Sequence, residues 1–115
     1  MARHLFLVQT NAVEGRDDEF NEWYDGVHLR EVLALPEFVG AQRFEVSASL
    51  PGGAAPSQRY LTIYEIETDD VDGALQRLRD GVATMTMTPA IDRSSVAAFT
   101  VQALGERVTK EMVGD

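Results

Sequence analysis

The chain has 115 residues, and its 10 Lys and Arg against 19 Asp and Glu give a net charge of −9 and a pI near 4.6. That length suits one domain with one core, and the negative field makes nucleic acids and anionic membranes poor partners. The absence of cysteine excludes disulfides, thiol nucleophiles, iron–sulfur clusters and thiolate zinc sites. Lys110 is the single lysine, which leaves Schiff-base chemistry almost without a candidate. A hydrophobic share of 44% with 25% charged residues is that of a folded globule. The opening apolar run, Leu5 to Val8, is too short for a signal-peptide core, so a cytoplasmic protein that neither enters nor crosses a membrane is expected.

His4 to Thr10 is an apolar run of strand length closed by Asn11 and Gly15. Asp17, Asp18 and Glu19 then place three acids at the positive end of a helix dipole, predicting a helix from about Asp17 to Leu35 that stops at Pro36. Phe38 to Ala48 and Arg59 to Glu67 have strand composition, and the Pro- and Gly-rich stretch between them makes a hairpin with a mobile loop. Asp69 and Asp70 open a second helix, with Val71, Ala74, Leu75, Leu78 and Val82 three and four residues apart. Ser95 to Leu104 reads as a fourth strand. The order βαββαβ predicts an α+β, ferredoxin-like domain over residues 1–105, a four-stranded antiparallel sheet with both helices on one face, followed by a polar tail over 106–115. In the second strand Val39 and Ala41 alternate with Phe38, Phe44 and Val46, and in the third Leu61 and Ile63 alternate with Tyr60, Tyr64 and Ile66. Apolar residues on both faces of the sheet predict a homodimer packed sheet to sheet.

Placing the first helix on a wheel at about 100° per residue gathers Phe20, Trp23, Tyr24, Val27, His28, Val32 and Leu35 on one arc, with Glu31 near its middle. A carboxylate on an apolar arc needs a partner or a polar cavity. His28 is three residues from both Asp25 and Glu31, so either acid is within reach of the imidazole. This constellation suits an acid/base histidine with a carboxylate fixing its tautomer and the Tyr24 hydroxyl as second donor. The same spacing also fits a merely tolerated helix histidine with Glu31 reaching solvent. Arg43 is expected to face Glu65 across the hairpin, with an anionic ligand as the other possibility. Met85 and Met87 suit either gap-filling core or an apolar lid. With two histidines, one of them His4 at the start of a strand, no metal site is expected.

The string Glu19-Phe20-Asn21-Glu22-Trp23-Tyr24-Asp25-Gly26-Val27-His28-Leu29, with Asn11 before it and Pro36 to Phe44 after it, resembles the EthD-like branch of the dimeric α+β barrel superfamily. The resemblance implies a barrel formed by the sheets of two subunits and a cleft between sheet and first helix that handles small, mostly aromatic or cyclic molecules. It carries acid/base roles to His28 and Tyr24, with Asp25 and Glu31 as auxiliaries. Asn11, Trp23, Arg43 and Tyr64 are the expected ligand contacts. The expected protein is a small cofactor-independent enzyme acting by proton transfer on a hydrophobic cyclic or aromatic metabolite, as isomerase, cyclase or dehydratase. The alternatives are a non-catalytic binding or accessory protein of a catabolic pathway and a cofactor-free oxygenase.

Overall fold

The computed structural model describes residues 2–114. Strands β1 (Arg3–Ala12), β2 (Phe38–Glu45), β3 (Tyr60–Glu67) and β4 (Ile91–Val101) form one antiparallel sheet in the order β2-β3-β1-β4. This is the ferredoxin-like α+β arrangement expected from the element order. The first helical rod consists of α1 (Asp17–Trp23), a π-helical segment (Tyr24–His28) and α2 (Leu29–Leu33), and the second is α3 (Val71–Val82). Asp70 caps α3, its carboxylate accepting from the Gly73 backbone N–H at 3.0 Å, which satisfies one of the free donors at the helix start.

The period-two alternation of β3 separates two environments cleanly. Tyr60, Thr62, Tyr64 and Ile66 are buried on the helix-facing side, where Phe6, Thr10 and Phe38 join them and Phe20, Trp23, Tyr24, Val32 and Ala74 close the core from the helices. Leu61, Ile63 and Glu65 point the other way, with Leu5 and Leu7 of β1, Phe44 of β2, and Phe99 and Val101 of β4. This open face is apolar yet partly bare, with Phe44 and Phe99 still 41% and 40% exposed.

Two departures from simple alternation matter. In β2 the register shifts between Phe38 and Gly40, because Phe38 faces Ile66 while Gly40 faces Glu65. That bulge turns Phe38 to the helix side together with Ala41, rather than to the side of Phe44, and leaves Val39 outside, 50% exposed. It also corrects the expected Arg43–Glu65 pair. Glu65 lies opposite Gly40, where a Cβ would stand 2.8 Å from its carboxylate, whereas Arg43 lies opposite Thr62 on the helix-facing side. In the second departure, Gln9 pairs with Ala97 but Asn11 with Asp92, so two steps along β1 are matched by five along β4. The excess bulges out over residues 93–96, and β4 therefore begins earlier than the run of β-branched residues suggested.

The tail, residues 102–114, carries no helix or strand, and Leu104, Val108, Met112 and Val113 stand exposed along it.

Candidate functional site

The π segment decides which side chains of the first helix enter the core. A π turn holds one residue more than an α turn, so everything after it is turned back by about 100° relative to an uninterrupted helix. On an unbroken wheel Glu31 stands at the centre of the apolar arc; with the extra residue that place goes to Val32, which is 1% exposed. Glu31 moves to the flank beside Trp23, and there both residues engage the backbone of one residue, Thr86. The Trp23 indole N–H donates to the Thr86 carbonyl at 2.7 Å, and the Glu31 carboxylate accepts from the Thr86 N–H at 3.0 Å. The carboxylate thus fastens the helix to the segment that follows α3.

Within the π segment, Tyr24 and His28 point into the space between helix and sheet. The His28 ring stacks on Trp23, with centroids 4.6 Å apart and planes 19° apart, and meets Tyr24 edge-on at 5.1 Å. The Tyr24 hydroxyl shares a 3.2 Å hydrogen bond with that of Tyr64 from β3. Two cavity lobes border this group. The larger, about 180 Å³, lies between Trp23, Tyr24, His28, Thr10, Met87 and Arg93. The smaller, about 150 Å³, is enclosed by Phe6, Tyr64, Val32, Leu78 and Ala98, and it shares Val8, Tyr24, His28 and Val82 with the first. Each has the size of an apolar cavity able to hold one small ring.

Burial lowers the pKa of His28 below the ordinary histidine value, outweighing the opposite pull of the Glu31 charge. The imidazole is consequently neutral at pH 7, able to accept a proton at one nitrogen and donate from the other. Its Nδ1 is buried with no hydrogen-bond partner. Burial, then the neighbouring Tyr24, pushes the Tyr64 hydroxyl far above the usual tyrosine range, so it stays protonated. The combination is a neutral imidazole and a hydrogen-bonded pair of phenols beside an apolar space.

The other expected site residues fall elsewhere. Asp25 does not reach His28; it is 64% exposed at the side chain and accepts from Arg43 at 3.0 Å. No hydrogen bond joins either Asp25 or Glu31 to the imidazole among the described residues. Arg43 lies on the far side of the Tyr24 ring, 4.4 Å from its centroid, and also donates to Asn21 at 2.8 Å. It clamps α1 to β2 and borders a separate outer groove with Asn21, Leu29 and Tyr60. Asn11 lies outside both lobes. It ties β1 to the start of β3, accepting from the Arg59 N–H at 2.7 Å and donating to the Ser57 carbonyl at 2.9 Å. Met85 and Met87 are half-buried against the core, Met87 forming part of the cavity wall. Arg93, Thr10, Val82 and Leu78 were not anticipated as cavity residues. Arg93 had no readable signal, since its position depends on the β4 bulge.

The comparisons with known proteins agree with the ferredoxin-like fold. No protein-family profile and no curated sequence matches the chain. Solved structures match across nearly its whole length. An EthD-family protein from Bacillus halodurans is 10% identical, with 90% of this chain and 100% of that chain covered and a TM-score of 0.59. A dimeric ferredoxin-like protein of unknown function from Thermobifida fusca is 13% identical, with 88% and 91% covered and a TM-score of 0.56. The heme-degrader MhuD from Mycobacterium tuberculosis, solved with two hemes in its active site, is 15% identical, with 91% and 99% covered and a TM-score of 0.56. At such identities the likeness is one of fold. It extends the EthD-like resemblance of the first 45 residues to the ferredoxin-like architecture of the whole domain. Lobes that each hold one small ring do not fit a porphyrin.

No helix among the described residues is long and apolar enough to cross a membrane.

Proposed function

We propose that the chain is a small cytoplasmic enzyme that moves a proton on a hydrophobic cyclic or aromatic metabolite, as an isomerase, cyclase or dehydratase, without a cofactor. The observation that carries this is His28, a neutral imidazole that lines both apolar lobes. Positioned beside a bound ring, the imidazole takes a proton from an acidified carbon or returns one to it. The Tyr24–Tyr64 hydroxyl pair stabilises charge that develops on a ring oxygen, because a phenol held far from ionisation remains a donor throughout. Trp23 is a ring-stacking wall and holds the imidazole plane. Glu31 and Asp25 act indirectly: Glu31 fixes the helix through Thr86, and Asp25 holds Arg43. Two copies of the chain pair through the open sheet face, burying Leu7, Phe44, Ile63 and Phe99.

One feature favours a second reading. An acid/base histidine ordinarily has its other nitrogen oriented by a carboxylate or carbonyl, and here no such group holds Nδ1. A cavity that only binds its ligand, as in an accessory protein of a catabolic pathway, has no need of that partner.

The two separate in one experiment. Exchange of the α-protons of 2-tetralone, a neutral fused-ring ketone, is followed in D2O by proton NMR. The wild-type protein is expected to accelerate exchange over buffer, and His28→Ala to lose about 10²–10⁴-fold of that acceleration. Tetralone resonances that broaden on binding without faster exchange establish the binding protein and refute the enzyme. Uptake of oxygen with a ring-hydroxylated product marks the cofactor-free oxygenase.

A further inference from the structure

The larger lobe ends at a charge that the proton-transfer chemistry leaves unused. Arg93 borders it together with Trp23, His28 and Met87, and among the described residues its guanidinium makes no ion pair, hydrogen bond or cation–π contact. Arg16 is engaged with Glu19, Arg43 with Asp25, and Arg59 with Glu45 and Asp17, while Arg30 of α2 lines neither lobe. Arg93 is exposed to solvent, and in a chain of net charge −9 it is the arginine that lines the aromatic-walled cavity.

Its placement is built. The β4 bulge carries Arg93 and Val96 over the lobe, since five β4 steps span two of β1, and bulges are a recurrent means of re-aiming side chains beside sites. Three hydrogen bonds pin the bulge. The Ser95 hydroxyl donates to the Asp92 carbonyl at 2.6 Å and accepts from the Asn11 N–H at 2.8 Å, while the Gln58 amide donates to the Ser95 carbonyl at 3.1 Å. Asp92, the nearest acid in sequence, is turned away from Arg93, its carboxylate accepting from the Ser94 hydroxyl and N–H. Asn11, expected to touch ligand, acts here one step removed by holding this bulge through its backbone.

We propose that Arg93 is the anion anchor of the cavity, so that the ligand is an aromatic or cyclic acid whose carboxylate pairs with Arg93 while its ring lies against Trp23 and reaches His28. This rests on the cavity being the ligand site and narrows the substrate class to cyclic acids. A guanidinium binds a carboxylate through two parallel N–H donors, and such charge-assisted pairs are stronger than neutral ones. The overall field of the protein repels anions, so any preference for an acid arises at this arginine.

The test uses benzoate and its neutral isostere benzamide, single rings matched to one lobe. Trp23 is the only tryptophan of the chain and lines that lobe, so its fluorescence reports binding of either. Wild-type protein is expected to bind benzoate about tenfold or more tightly than benzamide. Arg93→Gln should abolish the preference and Arg93→Lys retain part of it, with circular dichroism confirming the fold of each. Equal affinity for the two probes in the wild type, or a preference that survives in Arg93→Gln, overturns the anchor. Should that happen while His28→Ala still abolishes tetralone exchange, the anchor alone fails. Absence of binding by both probes together with absence of tetralone exchange removes the site itself.

Discussion

The buried hydroxyl pair between Tyr24 and Tyr64 gives a prediction independent of any substrate. Both side chains are among the largest fully enclosed ones, 2% and 1% exposed, and each hydroxyl has the other as its partner at 3.2 Å. Tyr24→Phe leaves the Tyr64 hydroxyl buried without its bond, and Tyr64→Phe does the same to Tyr24. Leaving a buried polar group unsatisfied costs roughly 1–3 kcal/mol, whereas replacing both partners by apolar groups of the same shape is nearly neutral. Each single variant should therefore lose about 1.5 kcal/mol, which for a domain of this size lowers Tm by roughly 4 °C or more. The double variant should be at least as stable as the weaker single one. Urea denaturation followed by Trp23 fluorescence and far-ultraviolet circular dichroism gives the three differences and the coupling free energy. Losses that add to within about 0.3 kcal/mol would refute the argument, since independent hydroxyls bonded to something other than each other are what additivity means here.

Arg43→Ala should cost about 2 kcal/mol, because the guanidinium is 12% exposed, bonds Asn21 and lies on the Tyr24 ring. Asp25→Ala, at an exposed carboxylate, should cost under about 0.5 kcal/mol; thermal melts that rank them the other way would reverse the assignment of the clamp. For His28, burial favours the neutral form, so the unfolded chain takes up a proton first as pH falls through the ordinary histidine value. Wild type should then lose stability relative to His28→Gln between about pH 7 and 5, by at most roughly 1.4 kcal/mol per pH unit, with no relative change above that window. Glu19 and Glu37, held low by Arg16 and Arg77, lose their contribution at more acid pH and do so equally in both proteins; parallel stability curves from pH 7 to 5 would contradict a buried imidazole. On the open sheet face, sedimentation at micromolar concentration should give a dimer for the wild type and a folded monomer for Ile63→Glu, and a monomeric wild type would remove the sheet-to-sheet pairing.

The fold was legible because its signals are local and redundant. Acids at Asp17 to Glu19 and Asp70 mark helix starts, Pro36 marks a stop, and the alternation in β3 separates Tyr60, Tyr64 and Ile66 from Leu61 and Ile63 without error. What the sequence obscured was irregularity. Gly40 inside the strand pattern is the one mark of the Phe38–Gly40 bulge, whereas the excess of β4 residues opposite Gln9 to Asn11 has none, because it arises from how two strands distant in sequence fit together. One bulge undid the Arg43–Glu65 pair, and the other brought Arg93 to the cavity.

The same lesson governs the site, where one inserted residue in the helix changes the chemistry. A wheel of constant pitch puts Glu31 among the aromatic rings, where it would be charged only at great cost or protonated. The π segment resolves that conflict by delivering Val32 inward and Glu31 to the Thr86 amide. His28, at the end of the segment, stays on the inner face, and Glu31, whose charge still acts on it, bonds the Thr86 N–H rather than the imidazole. The imidazole is thereby left with apolar and aromatic neighbours, which is why its charged form is disfavoured and its Nδ1 unbonded. The inward Val32 and the displaced acid are thus two results of one local change in helical pitch.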